Sequence, residues 1–411
     1  MNNTRMLRRT MAVCAVALMA GAAFAGCAPA SSNTSPGAPA DGGEGSSETI
    51  RIGYIGPLTG GSASLGVPAQ HGFELAVEHI NASGALDREI ELISVDDEAD
   101  PTKSAAAAQR MIDEENVIAV LGGPNSGPVL ANNPVITGAG IVQLITIAQA
   151  DGLIDPASPG YDLTFQVTEN NTYNVGATIQ FFLEADYSTI CAVADTTEYG
   201  QSGLTAIQTV FAENGLEVSA TASHEVNATD LTPQVLTLRD AGCDSIYLYS
   251  YGQDAAVFMK TVNQIGWDVD VIGGRALNQA AFLSIAGEAG DGLIFPSVID
   301  LDKPEAQEFI EAYNAEYGED DDPAHTFSAL AYDSIFLLAA ALDASGYEGG
   351  QALADALSET TLDNAVAGRS GSSLSFTEGD HRAPSDNFQT FWTIENGQFA
   401  MYRNDLPSKR P

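Results

Sequence analysis

From residue 50 onward, apolar residues recur in two alternating rhythms. Residues 50–55 (IRIGYI) form a short apolar run of strand type. Phe73, Ala76, Val77 and Ile80 then recur at the i, i+3, i+4, i+7 spacing of a helix, closed by Asn81-Ala82-Ser83-Gly84. Residues 89–95 read as the next strand, and Asp100-Pro101 supplies a cap and a first-turn proline for a helix through Ile112. Residues 117–121 and 141–145 are further short apolar runs, the signature of parallel strands buried on both faces. The alternation restarts at 189–194, 215–220, 245–250 and 269–272. Phe327, Leu330, Ala331, Ile335, Leu338 and Leu342 mark one strong late helix, and 390–394 with 399–402 around Asn396-Gly397 reads as a closing hairpin. Two successive βαβ series predict an α/β chain of two doubly wound parallel-sheet lobes.

The start of the chain has a different character. Arg5, Arg8 and Arg9 precede residues 11–24, an unbroken run of apolar and small residues, and Phe24-Ala25-Gly26-Cys27 follows. This is the build of a secretory signal over residues 1–26. Small residues directly before Cys27 resemble a bacterial lipobox, in which that cysteine is lipidated; Ala23-Phe24-Ala25 could instead be cut as a plain secretion site. Residues 28–48 are Pro, Gly, Ser and Ala with little to bury, a flexible tether reaching about 25 Å. Beyond this N-terminal run, no stretch is expected to be long and apolar enough to cross a bilayer.

Composition narrows the function classes. Of 411 residues, 45% are hydrophobic, so sizeable cores can form. The 16 basic against 55 acidic residues give a net charge of −39, which repels phosphate backbones and excludes nucleic-acid binding. Of the four cysteines, Cys14 leaves with the signal and Cys27 is the lipid site. Cys191 and Cys243 each open a strand-like run in an oxidising compartment, where a structural disulfide is expected over two buried thiols. No CxxC, H-E-x-x-H, G-x-S-x-G or P-loop occurs. His71 and His79 read as solvated, and residues 318–323 (GEDDDP) as an exposed acidic turn. Asp96, Asp97, Glu98 and Asp100 resemble a calcium loop in part, but Pro101 stands where its glycine belongs, so a strand end and helix cap is the reading.

The ordered set IRIGYIGPLTG, HGFELAVEHINASG, DDEADPTKSAAAAQRMI, VIAVLGGPNSG, DTTEYGQSG, YGQDAAVFMK and HTFSALAYDSIFLLAAAL resembles the substrate-binding proteins of branched-chain amino acid ABC transporters, of the type I periplasmic-binding fold. The resemblance implies two lobes joined by a three-segment hinge: residues 49–167 plus 300–375 as lobe one, 168–299 plus 376–403 as lobe two, and 404–411 as a tail. It further implies a small-molecule ligand, no cofactor, no metal, no enzymatic turnover, a monomer, and an extracytoplasmic receptor anchored at a bacterial membrane beside an ABC permease and ATPase. A receptor that signals to a membrane partner is the alternative; a secreted hydrolase is disfavoured for want of a nucleophile–base arrangement.

The ligand is expected at the C-terminal strand ends. The loop Gly122 to Gly127 leaves a strand and enters a helix whose N-terminal amides suit a carboxylate. A tight turn with Ser126 as its cap is the plain alternative; the resemblance instead puts Ser126 at the carboxylate seat, with Asn125 beside it. Ala148 and Ala150 align with a second contacting loop, where the family commonly has a hydroxyl at the Ala150 position. Tyr199 and Tyr251 match aromatic residues that close over the ligand, and Leu65 a position often aromatic. Arg275 falls where amino-acid binders carry the glutamate that pairs with the ligand ammonium, and Asn171 near where many have aspartate. A cation cannot receive an ammonium, so a carboxylate without a free amine, a dicarboxylate or an amide-like solute is expected, with Arg275 as a clamp.

Overall fold

A computed structural model describes residues 49–185 and 187–403. The signal, Cys27, the tether and the 404–411 tail lie outside the described residues.

The first sheet is built from five short strands: β1 (Ile50–Gly56), β2 (Ile90–Asp96), β3 (Ala119–Gly122), β4 (Val142–Ile145) and β5 (Thr164–Gln166). They lie in the order β2-β1-β3-β4-β5, all parallel. The connecting helices are α1 (Ala63–Ser83), α2 (Pro101–Arg110) and α3 (Ser126–Gly138). The Asp100 carboxylate caps α2 by accepting the Thr102 and Lys103 N–H groups, with Pro101 in the first turn.

The second sheet begins after α4 (Asn171–Glu184). Its parallel strands are β6 (Ile190–Asp195), β7 (Val218–His224), β8 (Ser245–Tyr249), β9 (Asp270–Gly273) and β10 (Ile294–Ser297). Between them run α5 (Glu198–Glu213), α6 (Thr232–Asp240), α7 (Gly252–Gln264) and α8 (Ala280–Ala286). Cys191 and Cys243 are joined by a disulfide that ties the start of β6 to the turn before β8, with Cα atoms 5.9 Å apart.

The chain then returns to the first lobe as α9 (Pro304–Tyr317), α10 (Thr326–Ala344), α11 (Gln351–Ser358) and a small ladder of β11 (Thr361–Leu362) with β12 (Leu374–Ser375). It ends back on the second sheet, where β13 (Thr390–Glu395) and β14 (Gln398–Met401) pair antiparallel at the edge. The second sheet therefore reads β14-β13-β10-β9-β8-β6-β7. The two sheets and their helices form two α/β lobes, and the chain passes between them three times.

Helix α10 corrects one expectation. It is long and apolar enough to cross a membrane by length and composition, but most of it is buried inside the protein. It packs along α1 so closely that a Cβ on Gly72 would lie 2.2 Å from the Ser328 carbonyl oxygen. The turn before it is also not simply exposed. Asp322 is buried and accepts the Phe327 and Ser328 N–H groups and the Ser328 hydroxyl, so it caps α10 from outside the helix. His71 and His79 are half-buried rather than solvated: His71 Nδ1 lies 2.9 Å from Asp321, and His79 Nδ1 2.8 Å from the Tyr332 hydroxyl.

Candidate ligand-binding cleft

Loops from the C-terminal ends of both sheets converge between the lobes. The turn after β3 is tight: a Cβ at Gly123 would sit 2.6 Å from the Ile55 carbonyl, so only glycine brings α3 this close. Asn125 takes the N-cap position of α3 and Ser126 the first helical residue. The Ser126 side chain does not cap the helix; its buried Oγ accepts the Ala150 N–H at 3.2 Å. Asn125 donates from Nδ2 to Ser62 Oγ, a long contact of 3.4 Å, while its buried Oδ1 has no donor.

The loop after β4 requires a correction. Ala148 and Ala150 pack with Val129, Ile145, Leu153 and Ile154 beneath α3. Two of their backbone groups are engaged as well, the Ala148 carbonyl accepting Gln166 Nε2 and the Ala150 N–H bonding Ser126. The residues between and before them, Ile147 and Gln149, line the cavity instead.

That inner cavity is lined by Leu65, Ile147, Gln149, Tyr199, Tyr251 and Arg275, together with Pro124, Ala276 and Phe327. It is nearly filled, with about 10 Å³ of free space. Tyr199 and Tyr251 enter from the second lobe with ring centroids 5.1 Å apart, and Tyr199 stacks on Tyr249 at 4.7 Å. Burial raises all three phenols well above their ordinary value, so they stay protonated and can donate. The lobes touch across the cleft, Ser64 Oγ donating to Gln279 Oε1 at 3.1 Å and the Asp151 N–H to Ser202 Oγ at 3.1 Å.

Arg275, expected as a clamp on the ligand, already has a charge partner within the protein. It is buried, and Nε lies 2.8 Å from Glu169 Oε1, itself fully buried. Nη2 donates to the Ile147 carbonyl at 2.7 Å, reaching from the second lobe to the first. The Glu169 contact is one of charge rather than an aligned hydrogen bond, because Nε and Nη1 both lack a hydrogen-bond acceptor. Glu169 Oε1 also accepts Gln149 Nε2, Asn174 Nδ2 and Gln389 Nε2, and its Oε2 accepts the Thr168 hydroxyl.

Asn171 is likewise reassigned. Its Oδ1 accepts the Tyr249 hydroxyl at 2.7 Å and its Nδ2 donates to the Tyr199 carbonyl at 3.2 Å. Both ends are used in bracing the tyrosines, and the acid of this segment is Glu169, two residues earlier. The missed residues are thus Glu169, Ile147, Gln149, Ala276 and Phe327. The only sequence signal for Glu169 was a lone charge in the uncharged run 163–170 after Asp162.

A second, outer cavity of about 300 Å³ adjoins the first, and Tyr251 lines both.

Two open α/β lobes with a cleft at their strand ends, closed by side chains from both sides, define a bilobed binding protein of type I architecture. The chain belongs to the periplasmic binding protein family, whose profile matches residues 49–396. It is 24% identical over 321 residues to the leucine-, isoleucine-, valine-, threonine- and alanine-binding protein of Pseudomonas aeruginosa, covering 77% of this chain and 84% of that one. The branched-chain amino acid transporter substrate-binding protein LivJ of Streptococcus pneumoniae, solved with isoleucine, superposes with a TM-score of 0.75 at 26% identity, covering 86% and 99%. A benzoate complex of a solute-binding protein from Rhodopseudomonas palustris shares the fold, with a TM-score of 0.76 at 21% identity and coverage of 86% and 95%. These relatives are solute-binding proteins, not enzymes, and the chain is a solute-binding protein.

Proposed function

We propose that the chain is the receptor of an ABC importer of the branched-chain amino acid type, closing its lobes on a small solute outside the cytoplasmic membrane and releasing it unchanged to a permease. Lipidation of Cys27 and the tether of residues 28–48 would keep the monomeric body near the permease and ATPase. The three passages between lobes, near residues 167 and 299 and, because residues 381–383 still bond Gln166 of the first sheet, near residues 385–389, would act as the hinge.

The observation that carries the ligand reading is the Arg275 Nη1 group, buried at the inner cavity without an acceptor. A ligand carboxylate or amide oxygen that enters while the lobes are apart supplies one. An α-ammonium has no comparable partner there. The carboxylate oxygen of Glu169 that faces Arg275 already takes three further donors. The favoured ligand is therefore a small carboxylate or amide with no ammonium next to that group, rather than a simple α-amino acid. Arg275 is compensated by Glu169, and an ammonium placed beside Arg275 would face a carboxylate oxygen that is already shared among the guanidinium and three amide donors.

Calorimetry of the full chain against α-amino acids, keto acids, aromatic acids, dicarboxylates and amides tests this, repeated on Arg275→Ala. A carboxylate or amide bound by the wild type and lost in the variant is expected. Tight leucine or valine binding overturns the ligand class, and conversion of any ligand overturns the receptor reading.

A further inference from the structure

The outer cavity opens between Ser62, Ala99 and Asn125 of the first lobe and Thr197, Asp254 and Gln279 of the second. Its volume of about 300 Å³ is at the lower end of what small-molecule sites use. Three carboxylates line it, Glu98, Glu198 and Asp254, and no lysine or arginine does. Glu98 is paired with Lys103 at 2.6 Å, and Asp254 accepts the Asn227 and Ala228 N–H groups. The decisive atom is Asn125 Oδ1: the residue is 5% exposed, it lines this cavity, and the oxygen has no donor. A buried amide oxygen without a donor is costly, and a ligand N–H removes the cost.

We propose that this outer cavity is a second ligand subsite that takes a positively charged N–H donor, an ammonium or guanidinium group. The proposal rests on the capture function above and extends it to the far end of the ligand. Because Tyr251 borders both cavities, a solute passing its ring presents an acceptor to Arg275 at one end and a donor to Asn125 at the other. The negative lining favours a charged donor over a neutral one, while Ala99, Pro101 and Pro128 offer apolar wall for the linking methylenes. The solute so described is a carboxylate whose amine is several bonds away.

The test is calorimetry on the full chain with 4-aminobutanoate, 5-aminopentanoate and 6-aminohexanoate, each against its parent without the amine and against the matching alkylamine. At least one amino acid of the series is expected to bind tenfold or more tighter than both controls. Glu198→Lys, on the exposed first turn of α5, is expected to bring that ratio to about one. Asn125→Leu is expected to reduce it likewise. If no member exceeds its parent acid, or if Glu198→Lys leaves the ratio unchanged, the outer subsite is overturned while carboxylate capture stands. If neither these compounds nor any carboxylate or amide binds, capture itself fails, and the subsite with it.

Discussion

Glu169 and Arg275 each remove a charge from water, and each is tolerated only because the other is present. Deleting one partner of such a pair leaves the other charge stranded, at about 3–5 kcal/mol, whereas replacing both is far milder. Glu169→Gln is therefore expected to lower the urea unfolding free energy by that amount, and Glu169→Gln with Arg275→Met to recover most of it. Additive losses in the double variant would refute the coupling. This pair also shows which parts of the site the sequence discloses. Arg275 stands out as a cation in a family position that calls for an acid. Glu169 does not, because the contact joins a hinge segment to a loop of the second lobe and no local pattern records it. Ile147 and Gln149 were missed for a different reason. In the irregular loop after β4, neighbouring side chains face opposite ways, and the backbone phase that decides whether 147 and 149 or 148 and 150 meet the cavity leaves no mark in the residue types.

The elements were most legible where burial is two-sided. Strands β1, β3, β4, β6 and β8 are apolar runs because helices cover both faces of each sheet. The edge strand β7 was placed too early. Its polar residues Ser219, Thr221 and Ser223 are exposed, so the apolar signal of residues 215–220 leads the true strand at Val218–His224. Strands β5 and β10 went unseen, being short and carrying Gln166 and Pro296. The cap of α10 was hidden too, because Asp322 reaches Phe327 and Ser328 around a turn in which His325 adopts a φ of 51°. That cap has a pH signature. Burial pushes the Asp322 carboxyl up to about 6, above an unfolded value of about 3.9. Between those values the folded protein holds the proton more tightly, so this group adds stability as pH falls toward 4 and withdraws it as pH rises. His325, pushed down to about 4 by burial, acts in the opposite sense between about 6.5 and 4. Asp322→Asn isolates the carboxyl, since one amide oxygen can replace the Oδ2 that accepts all three donors. Relative to wild type, the variant is expected to lose stability as pH drops below 6, by about 1.4 kcal/mol per pH unit. A stability difference that stays constant from pH 7.5 to 4.5 in urea titrations would refute the assignment.

At the scale of the whole molecule, closure and hinge share one polar network. Glu169 lies on the first passage between lobes and is bonded to Gln389 on the third, while the Thr390 hydroxyl and Trp392 Nε1 both donate to the Ile299 carbonyl on the second. Arg275 joins this hinge to both lobes: it is carried by the loop after β9, contacts Glu169, and donates to Ile147 of the first lobe. A ligand shifts such a balance only through its preference for one form, and side chains that bridge the lobes shift it in the same way. Removing the guanidinium takes away the bond to Ile147, while Ser64–Gln279, Asp151–Ser202 and the Thr326 hydroxyl with Asn278 and Ser297 still join the lobes. The charge-neutral double variant Glu169→Gln with Arg275→Met should therefore populate the open form more than wild type, without stranding a buried charge. Small-angle scattering without added ligand is expected to give it the larger radius of gyration. Solutes that bind through the tyrosines alone should still contract it. Identical scattering from the two proteins would mean that Arg275 serves the ligand without holding the lobes together.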